Sequence, residues 1–184
     1  MPERAHPSRV DLRRGSAPVA TPVDLLAFLR EVRLFTAFAE ADLVALAQRL
    51  RERTLKKNQV LFREGDPGDE MFLIRRGTVL VSKIVKARVE QLLNRQGPGE
   101  FFGEMSLLDG SPRSATIQAE TEVTLLTLDH VSLNQLVETS PHAAAVFFYA
   151  MVHVFIERLR GSDLRLTEAT RWGLEATGLD VEPR

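Results

Sequence analysis

Glu104 and Arg113 stand nine residues apart in the run Gly99-Glu100-Phe101-Phe102-Gly103-Glu104-Met105-Ser106-Leu107-Leu108-Asp109-Gly110-Ser111-Pro112-Arg113-Ser114-Ala115-Thr116. Arginine carries a planar fork of donors that stays charged and matches phosphate oxygens. Gly103 has no Cβ, so the backbone there can come within contact distance of a ligand. From Glu104 through Met105 and Ser106 a short polar turn begins, whose successive N–H groups form a concavity for an anion. A carboxylate beside a bound phosphate would repel it, so Glu104 has to be an acceptor for a ligand hydroxyl. A ribose 2′-OH fits that role. The chemistry in this run is the capture of a small ribose phosphate.

Such a cassette needs a scaffold, and the flanking sequence supplies one in three textures. Residues 1–21 contain Pro2, Pro7 and Pro18 with Arg4, Arg9, Arg13 and Arg14, and have no apolar period. They read as a flexible arm. From Pro22, apolar residues at Leu25, Leu26, Phe28 and Leu29, then Leu43, Leu46, Ala47 and Leu50, recur at helical spacing. Pro22 suits a first helical turn and Asp42 lies near the start of a second helix. Two amphipathic helices joined around residues 34–39 are expected over 22–50.

Residues 51–128 have the texture of an antiparallel sheet. Seven of the eleven glycines fall between 65 and 110, set between short apolar runs. Strands are predicted at 60–62, 71–74, 79–85, 89–93 and 123–128, with a turn at 64–69 cornered by Pro67. Many short strands with regular turns mean a barrel or jelly roll. Asp129 can cap a helix through Leu133, Leu136 and Val137 that stops at Ser140-Pro141. A long helix follows, apolar at Val146, Phe147, Phe148, Met151, Val152, Phe155, Ile156 and Leu159. That face is too wide to seal one barrel mouth. Phe148, Val152, Phe155 and Leu159 make a seam that pairs with a second copy, so a homodimer through 141–160 is expected; packing against helices of the same chain is the alternative. Gly161-Ser162-Asp163 should interrupt the helix, leaving a short helical segment at 163–176 and a tail to 184.

Composition narrows the function. A net charge of −1 and a pI near 6.4 argue against a broad nucleic-acid surface. No uninterrupted apolar run reaches the roughly 18 residues of a membrane span, and no signal peptide opens the chain. Without cysteine there are no disulfides, thiolate nucleophiles or cysteine-held metals. Histidine occurs only at His6, His130, His142 and His153, with none from 7 to 129, which removes the barrel histidines of a metal-dependent cupin. His153 reads as packed or half-buried in its helix. No Walker lysine loop, nucleophile elbow or paired acid/base carboxylates stand out. A binding protein without metal, cofactor or catalysis, placed in the cytoplasm, is expected.

The 99–116 run closely resembles the phosphate-binding cassette of cyclic-nucleotide-binding domains, which occur in catabolite-activator proteins, regulatory subunits of cyclic-AMP-dependent kinase and cyclic-nucleotide-gated channels. Phe-Gly-Glu, small and aliphatic residues, a short turn, then Arg, a small residue, Ala and Thr are all in place. The resemblance covers 35 to about 160. It implies an α+β, mainly β fold: a jelly-roll barrel at 51–128 between helices at 22–50 and 129–160, one binding domain in all. It implies a ligand site of Phe102, Gly103, Glu104, Met105, Ser106, Arg113 and Ser114. Val81, Asn94, Ala115 and Arg158 are further candidates, since relatives place Val81 on the purine, Asn94 facing the base and Arg158 reaching it. Val81, Asn94 and Arg158 also have ordinary readings: a core valine, a sheet-surface amide and a solvated helix charge. Relatives that favour cyclic GMP often carry threonine where Ser114 stands, so cyclic AMP is expected ahead of cyclic GMP.

Catabolite-activator relatives continue into a helix-turn-helix of roughly 60 to 70 residues. Here 24 residues follow Arg160, and the expectation is a stand-alone sensor that signals through an unidentified protein partner, without nucleic acid or membrane. Two alternatives remain open: a DNA-associated regulator using the dimer and the basic arm, and a jelly-roll interaction protein that has lost its ligand.

Overall fold

The computed structural model describes residues 17–18, 22–86 and 89–177. The expected arm at 1–21 and the tail after 177 lie outside the described residues, apart from Ala17–Pro18. That pair forms β1, set against Arg51 and Glu52. In chain order there follow α1 (Pro22–Glu31), a 3₁₀ turn (Arg33–Phe35), α2 (Glu40–Ala47), β2 (Arg51–Leu55), β3 (Val60–Phe62), β4 (Glu70–Arg76), β5 (Val79–Lys86) and β6 (Val89–Gln96). The cassette supplies β7 (Phe101–Phe102) and α3 (Glu104–Asp109). The chain then runs through β8 (Thr116–Ala119), β9 (Val123–Asp129), α4 (His130–Thr139) and α5 (Pro141–Thr177).

The strands make two antiparallel sheets, β1-β2-β9-β4-β7 and β3-β8-β5-β6, rolled around a shared interior. The fold is α+β, mainly β. Its central pair, β4 and β9, is buried on both faces, which is why both read as continuous apolar runs. Side chains alternate along a strand. Phe72, Ile74, Val123 and Leu125 therefore point into the roll with Leu55, Phe62, Phe102 and Ile117. Met71, Leu73, Leu126 and Leu128 point the other way, onto Leu29, Leu46, Leu136 and Phe147 of the helices.

The helices are fastened to one another as well as to the sheet. Asp129 caps α4 by accepting from the Ser132 N–H at 2.7 Å. His142, in the first turn of α5, lies 3.0 Å from both carboxylate oxygens of Asp42 on α2. Arg33 pairs with Glu157 of α5, and Arg49 hydrogen-bonds Thr139. The N-terminal helices thus clasp α4 and α5 from one side.

Three features differ from the sequence reading. The long helix does not break at Gly161 but runs 37 residues to Thr177. One glycine within a helix costs only about 1 kcal/mol against alanine, and the flanking sequence sustains the helix. Ser162 and Thr167 bond back to the carbonyls four residues earlier. Phe155 packs partly against the protein's own core, so the exposed apolar stripe on α5 is Phe148, Tyr149, Val152, Ile156 and Leu159. His153 is exposed rather than packed, its ring edge-on to Tyr149 at 4.5 Å.

By length and composition α5 is also apolar enough to cross a membrane. No uninterrupted apolar run of that length marks it in the sequence, because His142 and His153 bound the apolar stretch 143–152. Its inner face is occupied, with Ala143, Ala144, Phe147 and Met151 buried on the roll and the neighbouring helices.

Candidate functional site

The cassette folds as a strand end, one short helix and a return. Phe101 and Phe102 pair with Leu73 and Phe72 of β4, anchoring the entry. Gly103 then takes φ 79° at the N-cap of α3, a left-handed turn open to glycine. A Cβ there would stand 2.7 Å from Arg113 Nη1 and 2.9 Å from the Glu70 carbonyl oxygen, so the turn packs closely against the protein's own arginine and β4. Gly110 closes α3 with φ 69°, its N–H donating to the Ser106 carbonyl. The first turn of a helix leaves its N–H groups without intrahelical partners, and here that turn begins at Glu104.

Arg113 returns beneath this turn and is only 5% exposed. Its Nη1 donates to the carbonyls of Glu70 at 2.6 Å and Gly103 at 3.1 Å. The guanidinium carbon lies 4.3 Å from the centre of the Phe62 ring and 5.4 Å from that of Phe72, a cation resting on aromatic faces. Its Nε is buried and has no hydrogen-bond partner among the described residues. The backbone of Arg113 is fixed too, donating to the Asp66 carbonyl and accepting from the Gly65 N–H, both at 2.9 Å. Burial pulls the guanidinium below its ordinary value, while Glu70, Asp69, Asp66 and Glu104 act in the opposite direction. A buried cation with an unspent donor is suited to an anion of fixed shape.

Glu104 is equally buried, at 5% exposure, and it is not free. Arg158 of α5 donates from Nη1 to Glu104 Oε1 at 2.5 Å and from Nη2 to the Phe101 carbonyl at 3.0 Å. Its guanidinium also sits 4.7 Å from the Phe101 ring centre. Read from sequence as a group that reaches the base, Arg158 is here the partner of the carboxylate. Helix α5 is thereby tied to the cassette.

The other candidates divide. Phe102 is core, stacked on Phe72 at 5.4 Å. Ser106 is buried and Met105 is 50% exposed; Ser114 is exposed and Ala115 half-buried. Thr116 Oγ1 accepts from the Glu64 N–H at 3.0 Å, starting β8. Val81 and Asn94 face each other across β5 and β6, and Val81 also pairs with Ile117 of β8, one strand from the cassette's end. Asn94 is exposed. Sequence reasoning missed the seat of Arg113: Phe62, Phe72 and the Glu70 carbonyl. The apolar and turn patterns marked those positions as strand and corner, but only the folded chain brings them to residue 113.

A family model described as the cyclic nucleotide-binding domain matches residues 52–140. A cyclic nucleotide-gated potassium channel of Mesorhizobium japonicum is 40% identical over 116 residues, 63% of this chain and 31% of the channel. The chain therefore spans about a third of that relative's length. Among solved structures, the N-terminal domain of a transcriptional regulator from Streptomyces coelicolor is 34% identical with a TM-score of 0.64. The match covers 76% of this chain and 94% of that one. A cyclic nucleotide-binding domain from Methylobacillus flagellatus superposes with a TM-score of 0.71 at 28% identity, over 80% of this chain and 83% of that one. With the Phe-Gly-Glu entry, the buried arginine nine residues on and the two-sheet roll, these matches agree: the chain belongs to the cyclic nucleotide-binding domain family.

Proposed function

We propose that the protein is a cyclic-nucleotide sensor, with cyclic AMP as its ligand ahead of cyclic GMP, and that it passes occupancy outward through α5. The observation that carries this reading is that two opposite charges, Arg113 and Glu104, are both buried at one turn without pairing with each other, Glu104 being tied to α5 by Arg158. Arg113 and the N–H groups at the start of α3 receive the cyclic phosphate. Arg158 occupies Glu104 Oε1, and the ribose 2′-OH goes to the carboxylate's other oxygen. Ser114 supplies a hydroxyl beside the phosphate, and Val81 and Asn94 are the residues proposed to meet the base, supported by their facing positions on β5 and β6.

The role is binding and not catalysis, and a cyclic-nucleotide ligand places the protein in the cytoplasm. A ligand that strengthens the Glu104 constellation favours the docked position of α5, because it binds that state better. The outer stripe of α5, Phe148, Val152, Ile156 and Leu159, then serves as the output, as a two-fold contact with a second copy and through it a surface for a protein partner. Relatives carry this module in a channel and in a transcriptional regulator, so the site argues for sensing and leaves the identity of the partner to α5.

Titration calorimetry with cyclic AMP, cyclic GMP and linear AMP tests the reading. Cyclic AMP should bind most tightly and linear AMP hardly at all, since its phosphate brings nearly a full extra charge towards Glu104. Comparable affinity for linear and cyclic AMP would make the site a general phosphate cradle, and no binding of either cyclic nucleotide would withdraw the proposal.

A further inference from the structure

Gly68 lies in the turn between β3 and β4, the turn whose backbone also grips Arg113 through Gly65 and Asp66. Its φ is outside the left-handed region, unlike that of Gly65, Gly77, Gly99, Gly103 and Gly110. The backbone at 68 would therefore accept a side chain, and conformation is not the reason for glycine there. Space is. A Cβ on Gly68 would stand 2.1 Å from Nε, 2.3 Å from Cζ and 2.6 Å from Nη2 of Arg113. No side chain and guanidinium can share that volume.

We infer that Gly68 is a positioning residue for the ligand arginine: its missing side chain is the room in which the Arg113 guanidinium sits, and filling it dislodges the phosphate donor. The inference rests on the proposed role of Arg113 in binding. The group that must yield is the far end of a flexible side chain and not backbone, so the cost to the fold is limited to the contacts that side chain gives up. A substitution moves Nη1 off the Glu70 and Gly103 carbonyls and the cation off the Phe62 ring. Gly77 provides the contrast. Its φ is +85° and a Cβ there would meet the Glu122 backbone oxygen at 2.2 Å, which cannot swing away. Substitution at 77 is a stability defect; substitution at 68 is a ligand-affinity defect in a folded protein.

The test compares Gly68→Ala, Gly68→Val and Gly77→Ala with the parent by three measurements. These are the melting temperature, cyclic AMP affinity by calorimetry, and the NMR signal of the Arg113 Nε–H in ligand-free protein. We expect affinity to fall about tenfold for alanine, which only displaces the guanidinium, and about a hundredfold for valine at position 68, towards the low end of the loss on removing one partner of a buried charged contact. The Nε–H signal should shift and exchange faster with water in both, while their melting temperatures fall less than that of Gly77→Ala. Combining Gly68→Val with Arg113→Lys should cost no more affinity than Arg113→Lys alone, because both changes remove the same contact. A purely structural glycine would give additive losses. An unmoved Nε–H signal in both Gly68 variants overturns the inference, and so does affinity within about threefold of the parent for Gly68→Val. If the parent binds no cyclic nucleotide, the functional reading falls while the Nε–H signal still decides whether Gly68 makes the seat.

Discussion

Arg113→Ala removes the cation proposed for the phosphate, and the structure indicates that it removes more than that. The guanidinium is a structural plug in its own right. It donates to the Glu70 carbonyl and shares the Gly103 carbonyl with the Leu107 N–H, and it covers the rings of Phe62 and Phe72. A buried carbonyl that loses its donor costs about 1–3 kcal/mol, and the lost contact with the rings adds to it. A total of about 3 kcal/mol in a chain of this size lowers the melting temperature by roughly 6–12 °C. The affinity loss is separate: truncating one partner of a buried charged contact costs about 2–5 kcal/mol, or roughly 30- to several-thousand-fold. Arg113→Lys keeps the charge but not the fork, so it should fall between parent and alanine in both measures. Calorimetry well below both melting temperatures, with thermal melts alongside, separates the two effects. Binding by Arg113→Ala within about threefold of the parent refutes the cassette assignment. An unchanged melting temperature refutes the seat described for the side chain.

Glu104→Gln and Arg158→Ala should each weaken cyclic AMP by about 5- to 30-fold, because Arg158 is partly solvated and its pair with Glu104 falls between the surface and buried limits. The 2′-deoxy analogue should bind both variants and the parent about equally, and a parent that does not distinguish deoxy from ribose ligand rules out the hydroxyl role of Glu104. Ile156→Glu buries an unpaired charge if α5 pairs with a second copy, so light scattering at micromolar concentration should find a dimeric parent and a monomeric variant; a monomeric parent ends that reading. Burial raises the Glu70 carboxyl above its ordinary 4.5, with Arg53 opposing, Asp69 adding, Arg113 opposing and Asp129 adding. A carboxyl raised in the folded state holds its proton longer than in the unfolded chain, so its contribution is most favourable below the unfolded value and is lost as pH climbs through the raised one. The melting temperature of Glu70→Gln relative to the parent should therefore rise as pH goes from about 4 to 7, and a difference that does not vary with pH refutes the assignment.

Apolar runs and caps made much of the fold legible. Val60–Phe62 is β3 residue for residue, β9 was legible from Val123 to Leu128, and the starts of α4 and α5 follow from Asp129 and Pro141. What escaped has a physical reason in each case. The run Arg51-Glu52-Arg53-Thr54-Leu55 is β2, but only Leu55 is buried, so it lacks the alternation that marks a strand. In β8, Thr116 to Ala119, the ligand motif masks a short strand, and β7 is two residues long. The Gly161 break failed because one glycine is a small penalty against a helix sustained over 37 residues. In the site, residue type and spacing pointed to Glu104 and Arg113. Partners 54 and 43 residues away, Arg158 and Glu70, are products of the roll and have no local signature.

The tie between Glu104 and Arg158 sets how strongly the site and α5 can influence each other. A ligand can move a helix only by the difference in its interaction with the two positions, and the reverse influence is equal in free energy. On the inner face of α5, Ala143, Ala144, Phe147 and Met151 are buried on the sheet and the neighbouring helices, away from Glu104 and Arg113 in sequence and without a contact to either side chain among the hydrogen bonds and ion pairs of the described residues. The end proposed to sense the ligand lies further along, where Arg158 reaches Glu104 and the Phe101 carbonyl, and where Arg33 holds the adjacent Glu157. Beyond this point the described side chains of α5 are exposed. Coupling is thus confined to about one turn of helix, and a partly solvated pair there limits it to roughly 1–2 kcal/mol per chain. That is enough for a graded shift in α5 and too little for an all-or-none switch by a single copy. A second copy along the α5 stripe would let two sites bias one shared helix pair, which is the physical argument for the dimer proposed above.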